Sequence, residues 1–161
     1  MTEQRKQFKF DPEKLAKLEA FIKANHRVKI GVLGSSERRP SDKKKGAPID
    51  AVGLAAVHEF GSAKMGIPPR SFLRSTMNNA SDKFKAALDS GKSLVFEKIC
   101  SGNSDIFLNE VGAKWVRYVH DTFDNNQWPP VKEPYASRKR TNRILIETGA
   151  MLRSITHEVE K

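Results

Sequence analysis

Apolar and polar residues alternate along residues 27–33, RVKIGVL, more regularly than anywhere else in the chain. Every second residue is apolar, which is typical of a strand with one face in the core. The same period recurs in residues 155–160, ITHEVE. The two segments therefore predict two strands that pair with each other in a small antiparallel or mixed sheet.

A helical period precedes the first strand. Asp11-Pro12-Glu13 is a helix start, because a carboxylate caps free backbone N–H groups and proline fits the first helical position. The helix is expected to run to about Asn25. Its apolar stripe comprises Leu15, Leu18, Phe21 and Ile22.

A second helix is expected between Asp50, its N-terminal cap, and Gly61. Glycine reaches positive φ without strain, so Gly61 suits a left-handed C-terminal cap. Three apolar residues recur every four positions and share one helical face. They are Val52, Ala56 and Phe60.

A joint follows this helix. Residues 62–66 are small and predict a flexible loop, and Pro68-Pro69 stiffens its exit because each ring fixes φ. Arg70 and Ser71 open the next helix, which starts on the aromatic Phe72. The pattern predicts an elbow between two helices.

Two long helices should follow this elbow. The first covers residues 72–100 with an interruption at Gly91, and the second begins at Ser104. The short break at residues 101–103 implies an antiparallel pair. The second helix is expected to bury Leu108, Val111, Trp115, Tyr118 or Val119, and Thr122 or Phe123. The predicted fold class is α+β, with a small antiparallel or mixed sheet packed against three to four helices and long exposed basic loops.

Length and composition bound the class of protein. The chain has 161 residues, of which 38% are hydrophobic and 30% charged. We expect one domain over 1–161 that begins with an N-terminal arm at 1–10. The longest apolar run is too short to cross a bilayer, and the N-terminus lacks the apolar core of a secretion signal. The single cysteine, Cys100, excludes an internal disulfide.

The net charge of +10 is concentrated in two places. One is a basic loop over 34–47, and the other is an extended, proline-rich basic segment over 125–143. Three interpretations stay open: solvated loops, contacts with acidic partner proteins, or contacts with DNA phosphates. The candidate contact residues are Arg38, Arg39, Lys43, Lys44, Lys45, Arg138, Lys139 and Arg140.

No catalytic pattern is present in the sequence. His58-Glu59 is not part of an H-E-x-x-H motif, because residue 62 is Ser62. Glu59 lacks a partner carboxylate, metal ligand or nucleophile nearby in sequence, and no glycine-rich phosphate loop occurs. We therefore expect no enzyme activity, no metal and no cofactor.

Two blocks resemble a known family. The first is IGVLG followed by AAVHEFGSAKMGIPPRSFLR, and the second is WPPVKEPYASRKRTNRILIETGAMLRSITHEV. Both resemble tailed-bacteriophage neck, tail-completion and tail-terminator proteins, which are also described as virion morphogenesis proteins. Those proteins have a helix ending in Glu-Phe-Gly, an Arg-x-Phe helix start, and a Thr-Gly segment before a closing strand. The family often has proline where this chain has Ser71.

The resemblance implies a structural virion protein at the head–tail junction or the top of the tail. Such proteins form a ring, often of six copies, that joins or caps the tail tube. The implied partners are further copies of the chain, the tail tube protein and connector or neck proteins. The two basic runs, and not the resemblance, motivate the hypothesis that the basic loops face DNA passing through the lumen or grip acidic surfaces of adjacent rings. The candidate interface residues are Phe60, Arg70, Phe72, Trp128 and Tyr135.

The implied location is the neck or tail of a virion, after synthesis in the bacterial cytoplasm. The main alternative is a basic protein that binds nucleic acid without sequence specificity. An enzyme such as a nuclease, with His58 and Glu59 in its site, is the weakest alternative, because metal-dependent nucleases need clustered carboxylates.

Overall fold

The computed structural model describes residues 11–33, 50–125, 128–131, 133, 135–138, 144–146 and 149–160. The predicted arm at 1–10, the basic loop at 34–47 and much of 125–143 lie outside the described residues. The elements in chain order are α1 (Pro12–Lys23), β1 (Arg27–Val32), α2 (Ala51–Phe60), α3 (Leu73–Ser90), α4 (Lys92–Cys100), α5 (Ser104–Asn125), α6 (Tyr135–Arg138), α7 (Ala150–Arg153) and β2 (Ile155–Glu160).

The two predicted strands form one antiparallel sheet. Arg27 pairs with Glu160 at one end, and Val32 pairs with Ile155 at the other. Both strands contact helix α5. Gly112 of α5 makes the close approach possible, because a Cβ atom there would lie 2.2 Å from Cδ2 of His157. The pairing of the two strands is confirmed, and its direction is antiparallel.

Helix α5 is the centre of the fold. Helices α3 and α4 run antiparallel to it. Residues that come later in α3 and α4 contact residues that come earlier in α5. These contacts are Thr76 with Thr122, Phe84 with Trp115, and Lys98 with Glu110. Gly91 is the one residue that separates α3 from α4, as its position in the sequence predicted.

The buried core joins elements that are distant in the sequence. Phe72 at the start of α3 and Phe123 at the end of α5 meet edge to face, with ring centroids 5.1 Å apart. The remaining members come from α2, α5, α7 and β2: Ala55, Val119, Met151 and Ile155. The α+β fold class is therefore confirmed.

The predicted cap of helix α2 is confirmed. The Oδ1 atom of Asp50 accepts the N–H of Gly53 at 2.7 Å. Helix α7 is preceded by Gly149, whose φ of 74° is left-handed.

Helix α1 is attached to the remainder of the fold by a modest contact. It has the predicted start, because Oδ1 of Asp11 accepts the N–H of Glu13. It contacts α4, but none of its residues is buried, and Ile22 is 67% exposed. Beneath it, the thiol of Cys100 donates to the carbonyl of Lys14 at 3.4 Å.

The elbow between α2 and α3 as the candidate functional site

Helix α2 ends where the chain turns through Gly61. Its φ is positive, at 77°, as predicted, but its ψ of −179° is extended and not left-handed helical. The N–H of Gly61 donates to the carbonyl of Val57 at 2.8 Å. A Cβ atom at Gly61 would lie 2.8 Å from the nitrogen of Pro69. Only glycine fits here, because both the backbone angle and the neighbouring chain exclude a side chain.

The loop after Gly61 is closed by hydrogen bonds. The N–H of Ser62 donates to the carbonyl of Ile67, and the N–H of Ile67 donates to the carbonyl of Ser62, each at 2.9 Å. Inside this bridge, the N–H of Gly66 donates to the carbonyl of Ala63. The segment predicted as a flexible loop is therefore a short hairpin-like turn with its ends paired.

Glu59 caps helix α3 from the preceding helix. The first N–H groups of a helix have no partner within the helix, and Phe72 at the N-cap position supplies no side-chain acceptor. Glu59 fills this role, because its Oε2 accepts the N–H of Phe72 at 2.8 Å and of Leu73 at 2.9 Å. Its Oε1 accepts the N–H of Arg74 at 3.1 Å.

Side chains complete the set of donors around Glu59. The hydroxyl of Ser71 donates to Oε1 at 2.6 Å, and Nε of Arg74 donates to the same atom at 3.0 Å. The Nη2 atom of Arg74 also donates to the carbonyl of Glu59 at 3.0 Å. The buried carboxylate is thereby paired and hydrogen-bonded, which a buried charge requires.

The pKa of Glu59 is lowered. Burial acts to raise it, but the hydrogen bonds from Ser71, from the N–H groups of Leu73 and Arg74, and from the Arg74 side chain outweigh burial. A general base needs a free lone pair and a pKa near the working pH. The environment of Glu59 fits a structural anion. It does not support the alternative in which Glu59 acts as a base together with His58.

Arg70 and Trp128 join the two sequence blocks. Arg70 is 5% exposed, and its Nε and Nη2 donate to the carbonyls of Pro129 and Pro130 at 3.2 and 3.4 Å. The indole Nε1 of Trp128 donates to the carbonyl of Ser71 at 3.3 Å. The Trp-Pro-Pro segment therefore lies directly against the elbow, although some 57 residues separate them along the chain.

Three of the predicted interface residues lie inside the subunit, which corrects their assignment. Phe72 has no exposed surface, because it packs against Phe123. The guanidinium of Arg70 donates its hydrogen bonds to the two proline carbonyls. Trp128 is half-buried, with its ring 5.5 Å from that of Phe123, and is not an exposed anchor. The side chain of Tyr135 lies outside the described residues.

Phe60, the fifth predicted interface residue, is on the surface. It is 68% exposed, and the guanidinium of Arg74 lies 5.0 Å from its ring centroid. Val52 and Ala56, on the same helical face, are exposed as well. The buried face of α2 instead carries Ala51, Ala55 and Glu59. We call the exposed face formed by Val52, Ala56 and Phe60 the α2 outer stripe.

The predicted DNA or acidic-partner contacts remain predictions. Arg38, Arg39, Lys43, Lys44 and Lys45 lie outside the described residues, as do Lys139 and Arg140. Arg138 is placed only by its backbone, at the end of α6. Nothing in the described part of the chain bears on these side chains.

Neither the role of Arg74 nor the cap that Glu59 provides was predicted from the sequence. A signal was available: helix α3 begins without an acceptor at its own N-cap, so its free N–H groups require one from elsewhere. The described residues contain no group of three or more His, Cys, Asp or Glu side chains arranged for a metal ion. None of the helices in the described ranges is long and apolar enough to span a membrane.

Comparison of the chain with protein-family models, with curated proteins and with solved structures finds no match.

Proposed function

We propose that the chain is a structural subunit of a tailed-bacteriophage virion, located at the head–tail junction or the top of the tail. In this proposal, copies of the chain form a closed ring that joins or caps the tail tube, and the chain is not an enzyme. The observation that carries the proposal is the α2 outer stripe. Three apolar residues that share one exposed helix face support a role of this face in contacts with other chains.

The hydrogen bonds of the elbow hold the α2 outer stripe in a fixed position. Phe60 follows Glu59 directly, and Glu59 is held by donors on three consecutive residues of the next helix. Arg74 lies over the ring of Phe60 and is itself tied to Glu59. A surface that is already ordered loses little conformational entropy on binding, which favours association.

Met65 in the adjoining turn and Met77 on α3 are also about half exposed, at 52% and 48%. Methionine side chains adapt to irregular surfaces and are common at binding sites. In a closed ring each contact is repeated around the axis, so a modest apolar contact suffices for assembly. The resemblance of the two sequence blocks to neck and tail-completion proteins is the reason for proposing this assembly.

The test is the mass of the purified protein in solution, alone and with the tail tube protein of the same phage. We expect one closed oligomer of fixed copy number for the wild type, and monomers for Phe60→Ser. Ile106→Ser is the matched control, because Ile106 is 55% exposed on a different helix. It should assemble like the wild type.

The proposal fails if the wild type stays monomeric under both conditions, or if Phe60→Ser assembles normally. Electron microscopy of particles made without the protein then separates two roles. Heads without attached tails indicate joining, whereas tails of uncontrolled length indicate termination.

A further inference from the structure

A groove of about 550 Å³ runs between helices α3 and α5, on a part of the molecule that the elbow does not use. Two alanines, Ala87 and Ala113, line it between longer side chains. The other lining residues are Lys83, Lys114, Arg117, Tyr118 and Asp121. The groove is therefore edged by three cations and one carboxylate.

The three cations are exposed, and the carboxylate of Asp121 offsets one of their three charges. Among the described residues, Lys83, Lys114 and Arg117 form no ion pair, whereas Lys17 and Lys98 are each paired with a glutamate. Lys114 and Arg117 are one turn apart on the same face of α5, and Lys83 faces them from α3. The Lys83 ammonium lies 5.4 Å from the ring centroid of Tyr118, which orients it along the groove wall.

We propose that this groove binds the phosphate backbone of nucleic acid. A row of unpaired cations along an open channel matches a polymer that carries one charge at each phosphate. An acidic protein segment is the competing occupant, and the competition experiment below separates it from nucleic acid. Contacts to phosphates carry no sequence information, so we expect this binding to be independent of base sequence.

This inference rests on the groove and does not require the ring. The experiment measures how the affinity of the full-length protein for a short random-sequence DNA duplex depends on salt. Each phosphate contact that is lost should reduce the slope of log K against log salt concentration by about 1. The triple variant K83Q/K114Q/R117Q should therefore lower the slope by about 2 to 3 and weaken binding at least about tenfold at moderate salt.

The matched control is K14Q/K64Q/K92Q, which removes three exposed cations from other elements and lowers the net charge equally. It should retain a slope close to that of the wild type. Thermal unfolding verifies that both variants are folded. The single variants Lys114→Gln and Arg117→Gln, each lowering the slope by about 1, provide the same test with less perturbation.

Three results would overturn the proposal. The first is a failure of the wild type to bind the duplex at low salt. The second is a control variant whose slope falls as much as that of the groove variant. The third is polyglutamate of equal charge that competes as well as DNA, and does so only when the groove cations are present. The last result would assign the groove to an acidic protein. Oligomer formation is scored separately by the mass measurement, so the two proposals fail independently.

Discussion

At the elbow, a carboxylate that is 4% exposed accepts hydrogen bonds from three consecutive backbone N–H groups, whereas helix α1 has no buried residue and contacts α4 through half-exposed side chains. The elbow packs on the core that it forms with α5, α7 and β2, whereas α1 packs on α4. Hydrogen bonds to a buried carboxylate hold the elbow in place, whereas partly exposed apolar contacts hold α1.

This difference has consequences for stability and dynamics. A buried carboxylate with several donors is costly to break, because removal of one partner leaves the others unsatisfied in a dry site. A partly exposed apolar contact can open locally at little cost. The elbow should therefore unfold only with the whole domain, and α1 should open independently.

The largest effect is expected for Glu59→Ala. The substitution leaves the N–H groups of Phe72, Leu73 and Arg74 without acceptors, so the free energy of unfolding should fall by about 3 to 4 kcal/mol. Chemical denaturation measures this change. Glu97→Ala, at an exposed position of α4, is the control and should change stability by less than about 0.5 kcal/mol. Equal effects of the two substitutions would mean that the cap is unimportant.

A smaller but well-controlled effect is expected in the adjoining turn. Gly61→Ala places a Cβ atom 2.8 Å from the nitrogen of Pro69, which is backbone and cannot easily move. We expect a loss of about 2 to 3 kcal/mol. Gly66→Ala is matched to it, because Gly66 has a φ of 60° but no atom within 4 Å of the new Cβ. It should cost about 1 kcal/mol, and the reverse order would contradict the geometry.

The lowered pKa of Glu59 predicts an acid dependence of stability. The folded state holds this carboxyl below its ordinary value of 4.5, so its stabilisation is complete above that pH. It is lost as the pH falls from there through the folded pKa. Unfolding followed between neutral pH and pH 3 should show this loss in the wild type and a weaker one in Glu59→Gln. Parallel curves for the two proteins would exclude Glu59 as its source.

The smallest effect on global stability concerns α1. Leu18→Ala, at a half-buried position one turn after Lys14, should lower the free energy of unfolding by less than about 1.5 kcal/mol. It should nevertheless raise the rate at which a thiol reagent labels Cys100 several-fold, because the thiol is 3% exposed beneath α1. Leu94→Ala, on the exposed side of α4, is the control and should leave the rate unchanged.

Local patterns in the sequence predicted most of the elements. The alternation in residues 27–33 and 155–160 identified both strands, and Asp11 and Asp50 identified two helix starts that the structure confirms. These predictions succeeded because each depends on residues within a few positions of one another. Gly112 was not identified as a core position, because its requirement comes from His157 on a distant strand.

The direction in which α2 faces was not predictable from periodicity. Its apolar stripe and its buried face are both spaced at four residues, and the more hydrophobic one is outside. The buried face consists of small alanines that allow close approach to the core and of Glu59, whose partners are 12 to 15 residues away. Likewise, Arg70 and Trp128 were predicted to be interface residues. Their actual partners are inside the subunit but belong to the other sequence block, so the local sequence does not reveal them.

The most direct test of the account is native-state hydrogen exchange of the first amides of α3 compared with those of α1. First-turn amides of a helix are usually unprotected, since they lack intrahelical acceptors. If Glu59 caps α3, the amides of Leu73 and Arg74 should exchange only with global unfolding, while those of α1 exchange through local opening. Rapid exchange at Leu73 and Arg74, at rates similar to those in α1, would contradict the account.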